Sequence, residues 1–125
     1  MNVVDSSAWL EYFTDGPNAT TFSSAIEKVK ELVVPTISIF EVFKKVLKDR
    51  GEDLALQIVA AMQQGTIVEL DLSIALAGAK LSSELRLPMA DSIMLATAQQ
   101  FQAILWTQDA DFRGIVGVKY FERTK

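Results

Sequence analysis

Apolar residues fall into two rhythms along this chain. Short apolar runs at Val3-Val4, Leu32-Val33-Val34, Thr66 to Leu70, Ala103 to Trp106 and Val116 to Phe121 read as strands. Between them, apolar residues recur at helical spacing. Asp5-Ser6-Ser7 supplies an N-cap for a helix through Trp9, Leu10 and Phe13, and Asp15-Gly16-Pro17-Asn18 is a break. Ala19, Phe22, Ala25, Ile26, Val29 and Leu32 then share one helical face, with Glu27, Lys28, Lys30 and Glu31 mainly on the other. After Pro35 a helix starts near Thr36 or Ser38, runs to Arg50 and stops at Gly51. Another spans about Glu52 to Gln64 and ends at Gly65. Asp71 and Ser73 offer caps for a helix ending near Arg86, before Pro88. Met89 to Phe101 is the last helix, and Phe112 to Gly114 reads as a turn or short helical piece.

The resulting order, β-α-α-β-α-α-β-α-α-β-β, predicts an α/β fold. Strands alternating with helices imply a mostly parallel sheet, here of four to five strands, covered on both faces. With 125 residues and no linker, repeat or low-complexity segment, residues 1–125 are expected to form one domain.

Composition narrows the chemistry. There are no cysteines and no histidines. That excludes a disulfide scaffold, a thiolate zinc site, any imidazole ligand and every Ser-His or Cys-His nucleophile pair. A catalytic metal, if there is one, must be held by oxygens, which favour hard cations such as Mg²⁺ or Mn²⁺. Half the residues are hydrophobic, yet no apolar run approaches the roughly 20 residues of a membrane helix. Met1-Asn2-Val3-Val4-Asp5 has no basic n-region, so a cytoplasmic protein without membrane association is expected. The formal net charge of −4 is unusual for a nucleic-acid binder, although clustered site carboxylates add to it.

Among the 16 acidic residues, four have informative surroundings. Asp5 ends the first strand and Asp109 follows the fourth, so both reach the sheet edge where parallel folds bind ligands. Judged alone, Asp5 reads equally as a plain N-cap and Asp109 as part of a loop turn. Asp91 shares a helical stripe with Leu95 and Ala98, where a charge is costly unless paired or coordinated. It also reads as a first-turn acid beside a helix dipole. Glu41, with Lys44 and Lys45 at i+3 and i+4, reads as a surface ion pair, yet Ile37, Phe40 and Phe43 around it point to burial. Only as a set do these acids suggest a Mg²⁺ site able to activate water for phosphodiester hydrolysis.

Four segments carry a family resemblance. Val3-Val4-Asp5-Ser6-Ser7-Ala8-Trp9-Leu10 resembles the opening of PIN domains, especially VapC toxins. Pro35-Thr36-Ile37-Ser38-Ile39-Phe40-Glu41-Val42 resembles their second motif, and Leu87-Pro88-Met89-Ala90-Asp91-Ser92-Ile93-Met94-Leu95-Ala96 their third. Leu105-Trp106-Thr107-Gln108-Asp109-Ala110-Asp111-Phe112 resembles the fourth, a Thr-x-Asp-x-Asp-Phe pattern. Ser6 replaces a common Thr, and Ala110 a frequently charged residue. The resemblance implies a PIN-like three-layer α/β/α fold and a Mg²⁺-dependent endoribonuclease in which Mn²⁺ can substitute. It implies catalysis by Asp5, Glu41, Asp91 and Asp109. Asp5, Asp91 and Asp109 would hold the metal, and Glu41 would orient or deprotonate water or bind a second metal. Asp111 is a secondary candidate, and Thr107 supports the site. It also implies the toxin half of a toxin–antitoxin pair, with RNA as substrate, a VapB-like antitoxin and a homodimer. The basic run Lys44, Lys45, Lys48 and Arg50 beside Glu41 is the expected phosphate contact, against a reading as solvated charge.

Three other readings fit parts of the pattern. In a phosphoacceptor receiver-like signalling module, Asp71 would be the acceptor, but the adjacent acid pair after the first strand is missing. A small-molecule phosphatase would need a second acid at position 7, which is Ser. The third is a catalytically inert PIN-like binding module.

Overall fold

The computed structural model describes residues 1–124. Five strands form one sheet: β1 (Asn2–Val4), β2 (Leu32–Pro35), β3 (Thr66–Val68), β4 (Ile104–Thr107) and β5 (Val118–Tyr120). Their order is β3-β2-β1-β4-β5, and every pairing is parallel. Six α-helices cover the sheet: α1 (Ser6–Phe13), α2 (Ala19–Ile26), α3 (Thr36–Arg50), α4 (Glu52–Met62), α5 (Leu72–Leu85) and α6 (Met89–Gln100).

The strand runs are apolar at consecutive positions because both faces are buried. Side chains alternate between the faces. Val4, Leu32 and Val34 enter one core with Trp9, Phe22, Val42 and Met62. Val3, Val33 and Leu105 enter the other with Leu95, Ala98 and Phe112. The first core is closed by helices α1 to α4; α6 closes the second, with α5 outside it. Helix α6 is buried without interruption from Ser92 to Ala98, as a helix between a sheet and another helix must be. Gly78 of α5 faces it, where an added Cβ would touch Ile93 at 3.4 Å.

Boundaries differ from the apolar pattern in one informative place. The predicted helical face from Ala19 to Leu32 breaks after Ile26, and Val29–Glu31 forms a separate 3₁₀ turn. Leu32 keeps the helical spacing by coincidence, since it is apolar as the first residue of β2. The third and fifth strands are shorter than their apolar runs because both lie at sheet edges, with a partner on one side only. Asp71 accepts from the Ile74 amide at 2.8 Å and caps α5, while Arg86 ends that helix in the left-handed region at φ 57°.

The order of strands sets the position of any site. The chain moves outward from β1 to β2 and β3, then crosses back to place β4 on the other side of β1. That reversal is a topological switch point, which leaves a crevice beyond the C-terminal ends of β1 and β4. Phe112 follows β4 in a 3₁₀ turn over Ala110–Phe112 and is fully buried, anchoring the rim of this crevice to the second core. Truncating it with Phe112→Ala should cost about 3–5 kcal/mol of stability. Urea unfolding would measure this, and a loss below about 1 kcal/mol would show that the rim is not held by that packing.

Candidate active site

Each of the candidate acids reaches the crevice from a different element. Asp5 leaves β1 in extended conformation and is only 2% exposed. A carboxylate so buried needs donors, and three are present. The Ala8 amide and the Ser7 hydroxyl donate to Oδ1 at 3.0 and 2.8 Å, and the Thr107 hydroxyl donates to Oδ2 at 2.7 Å. Asp5 therefore is the N-cap of α1, and it also ties β1 to the end of β4. Burial outweighs these donors and pushes the Asp5 carboxyl up to about 6.

Thr107 passes the connection on. Its Oγ1 accepts from the Asp109 amide at 2.9 Å, and Asp109 in turn accepts from the Asp111 amide at 2.9 Å. The turn after β4 is thus folded so that Asp109 and Asp111 stand side by side. Asp91 meets them from the first turn of α6. Carboxylate oxygens of Asp91, Asp109 and Asp111 lie within 4.8 Å of one another. Glu41 on α3 completes the wall, accepting from the Ser6 hydroxyl at 2.7 Å.

The convergence of the acids bears on the Asp91 carboxyl. Burial first, then the charges of Asp109, Asp5, Glu41 and Asp111, push its carboxyl up to about 7. Asp91 is half-buried, and its own helix N-terminus offers only a partial positive charge against four carboxylates. The chain supplies oxygen donors alone, several of them close to one another, and among the described residues Asp91 faces negative charge without an ion-pair partner. These residues fit a hard divalent cation.

Every acid expected from the sequence is therefore at the crevice, with differences of rank. Asp111, expected as secondary, belongs to the tight group, whereas Asp5 sits behind it and reaches it through Thr107. Glu41 is not paired with Lys44 or Lys45; Lys45 binds Asp49 at 3.0 Å instead. Ser6 and Ser7, which hold Glu41 and Asp5, were legible only as capping residues. Asp71 leaves the edge strand β3, separated from β1 by β2, and is occupied as a cap. A groove of about 320 Å³ lined by Phe40, Glu41, Lys44, Lys45 and Lys48 runs beside the acids, so the basic run does adjoin Glu41.

A parallel sheet with a carboxylate cluster at its switch point, free of His and Cys, has the oxygen donors that metal-assisted hydrolysis requires. The PIN domain family model matches residues 3–117, and the chain belongs to that family. It is similar over 98% of its length to 99% of a chain from a toxin-antitoxin complex of Klebsiella pneumoniae, with 26% identity and a TM-score of 0.83. It shares its fold with FitAcB from Neisseria gonorrhoeae, at 18% identity, TM-score 0.75, and 98% and 97% coverage of the two chains. It likewise shares it with VapC20, a Sarcin-Ricin loop cleaving toxin of Mycobacterium tuberculosis, at 13% identity, TM-score 0.75, and 94% and 98% coverage. A comparison with curated proteins finds no match.

The crowded acids carry a stability signature. Between the ordinary carboxylate value of 3.8 and the raised values of about 6 and 7, the folded protein binds more protons than the unfolded chain. Stability contributed by these groups therefore falls as pH rises through that window. Metal-free protein should lose Tm between pH 5 and pH 8, and Asp91→Asn should lose less. Added Mg²⁺ should raise Tm more at pH 8 than at pH 5. Calorimetry at both pH values checks this; an Asp91→Asn curve parallel to wild type would refute the crowding.

Proposed function

We propose that this protein is a Mg²⁺-dependent endoribonuclease, the toxin of a toxin–antitoxin pair, acting through Asp5, Glu41, Asp91 and Asp109. The observation that carries the reading is the convergence of these acids and Asp111 on the β1/β4 crevice. Asp5, Asp91 and Asp109 would hold Mg²⁺ or Mn²⁺ directly or through waters, with Asp111 beside them. When bound, the cation supplies positive charge to a phosphoryl oxygen and eases deprotonation of water.

The chain's own groups do the rest. Ser6 fixes one oxygen of Glu41 and leaves the other free to orient the attacking water and take its proton. The water oxygen bonds to phosphorus as the ester P–O bond breaks, leaving a phosphomonoester on one fragment and a hydroxyl on the other. Thr107 holds Asp5 and Asp109 in register so that neither swings away. Lys44, Lys45 and Lys48 attract the RNA backbone beside Glu41.

Partners follow from the same likeness. The similar chain from Klebsiella pneumoniae is part of a toxin-antitoxin complex, and other structures of this fold are VapBC complexes from Salmonella typhimurium and Haemophilus influenzae. A VapB-like antitoxin and a homodimer are the corresponding partners here. Among the described residues no helix is long and apolar enough to cross a membrane.

Cleavage of mixed cellular RNA with Mg²⁺ or Mn²⁺ tests the reading. Wild type should cut, Asp91→Asn and Asp5→Asn should not, and Thr107→Val should be slower by about 10–100-fold. Metal-dependent cutting by Asp91→Asn at the wild-type rate would refute the assignment. Replacing Lys44 and Lys48 with Ala should flatten the salt dependence of RNA affinity by about 1.4 in log–log slope, two phosphate contacts' worth.

A further inference from the structure

A polyanion drawn to a cluster of carboxylates needs fixed positive charge on more than one side. The lysine groove lies on the β2 side, along α3. On the other side, past β4, the nearest cation in sequence is Arg113, two residues after Asp111 at the end of the same turn. It is exposed, and among the described residues it forms no ion pair. Its Nη2 donates to the Tyr120 hydroxyl at 3.1 Å, and its guanidinium carbon lies 5.2 Å from the centre of the Tyr120 ring.

Tyr120 is well placed to hold it there. It pairs in register with Thr107, the residue that links Asp5 to Asp109. Register neighbours on adjacent strands point to the same face. The Arg113–Tyr120 pair thus stands at the same level of the sheet as the site, one strand further out. From the exit of β2 to that of β5 is three strand spacings, roughly 14 Å.

The choice of partner matters. An arginine turned onto Asp111 would be neutralised and would quench a site acid. An arginine braced by a phenol keeps its full charge and, with five donors and one in use, has most of its fork free. The brace also removes rotamer freedom before a ligand arrives. Planar guanidinium suits phosphate oxygens better than an ammonium does.

We propose that Arg113, braced by Tyr120, binds a substrate phosphate on the β5 side of the acid cluster, across the crevice from the lysine groove beside Glu41. Arg113 is a binding residue and Tyr120 a positioning residue. This assignment rests on the nuclease reading above.

Two measurements on the full chain test it, using a 5′-labelled single-stranded RNA that wild type cleaves. In steady-state cleavage, Arg113→Ala should raise KM about tenfold, the loss expected for one charge-assisted hydrogen bond. Its kcat should stay within about twofold, as for binding shared by ground and transition states. In equilibrium binding by the non-cleaving Asp91→Asn protein, adding Arg113→Ala should reduce the log–log salt slope by about 0.7, one single-strand phosphate contact. Arg113→Lys should keep the slope with a KM between the two, and Tyr120→Phe should raise KM without changing the slope. An unchanged KM and slope for Arg113→Ala, in a wild type that cleaves, overturns the subsite alone. An equal fall in slope for Lys30→Ala, on a distant 3₁₀ turn, reduces Arg113 to general charge and overturns it too. If wild type neither binds nor cleaves RNA, the nuclease reading falls and this assignment with it.

Discussion

Asp5 is a carboxylate buried to 2% exposure at the end of the central strand, and the site is arranged around satisfying it. An unpaired charge in that position would be prohibitive. The amide of Ala8 and the hydroxyls of Ser7 and Thr107 make it affordable, and each donor fixes something else in place. Ala8 sets the start of α1, which also orients Ser6 towards Glu41. Thr107 sets the end of β4, from which Asp109 and Asp111 are hung. A single buried acid therefore serves both as the cap of a helix and as a tie between two strands. The two readings of Asp5, cap or site acid, describe the same hydrogen bonds.

Among the described residues no ion pair neutralises the site acids. Four of the described cations have partners other than the cluster acids: Lys45 on Asp49, Lys44 over Phe40, Lys119 over Trp106 and Arg113 on Tyr120. Three of these rest on aromatic rings, which hold a cation without cancelling its charge. Net charge is then a poor guide to what the molecule attracts. A chain of net charge −4 can present a concentrated acidic point for a metal with positive groups on its flanks.

How much of this was legible depends on the range of the interaction concerned. Strands and helices follow from local rhythm and caps, so the order of elements and the layered parallel sheet could be read directly. Local rhythm fails where a strand's first apolar residue happens to continue a helical spacing, as Leu32 does after the helix that ends at Ile26. Asp5 and Asp109 could be placed at a strand's C-terminal end because parallel sheets use that edge. Glu41 could not be separated from an ion pair with its own helix neighbours, since its partner Ser6 is 35 residues away. The proximity of Asp111 to Asp91 was hidden for the same reason: spacing puts Asp111 in a turn, and only the fold of that turn sets it beside Asp91.

The same distances in sequence make the site a product of the completed fold. Asp5 and Thr107 are 102 residues apart, yet adjacent strands bring them within a hydrogen bond. The strand that closes the crevice, β4, follows α5 and α6 in the chain and pairs with β1 at the centre of the sheet. No partial chain lacking β4 contains both Asp5 with its Thr107 partner and the Asp91, Asp109 and Asp111 group. The repulsion among those carboxylates is met only once the core beneath Phe112 is in place to hold the turn that carries them. Packing energy from the apolar pattern is what allows the acids to be held together, and their crowding creates the negative charge that a divalent cation would offset. The apolar rhythm and the sparse acids are thus two halves of one physical requirement, since neither would define a site without the other.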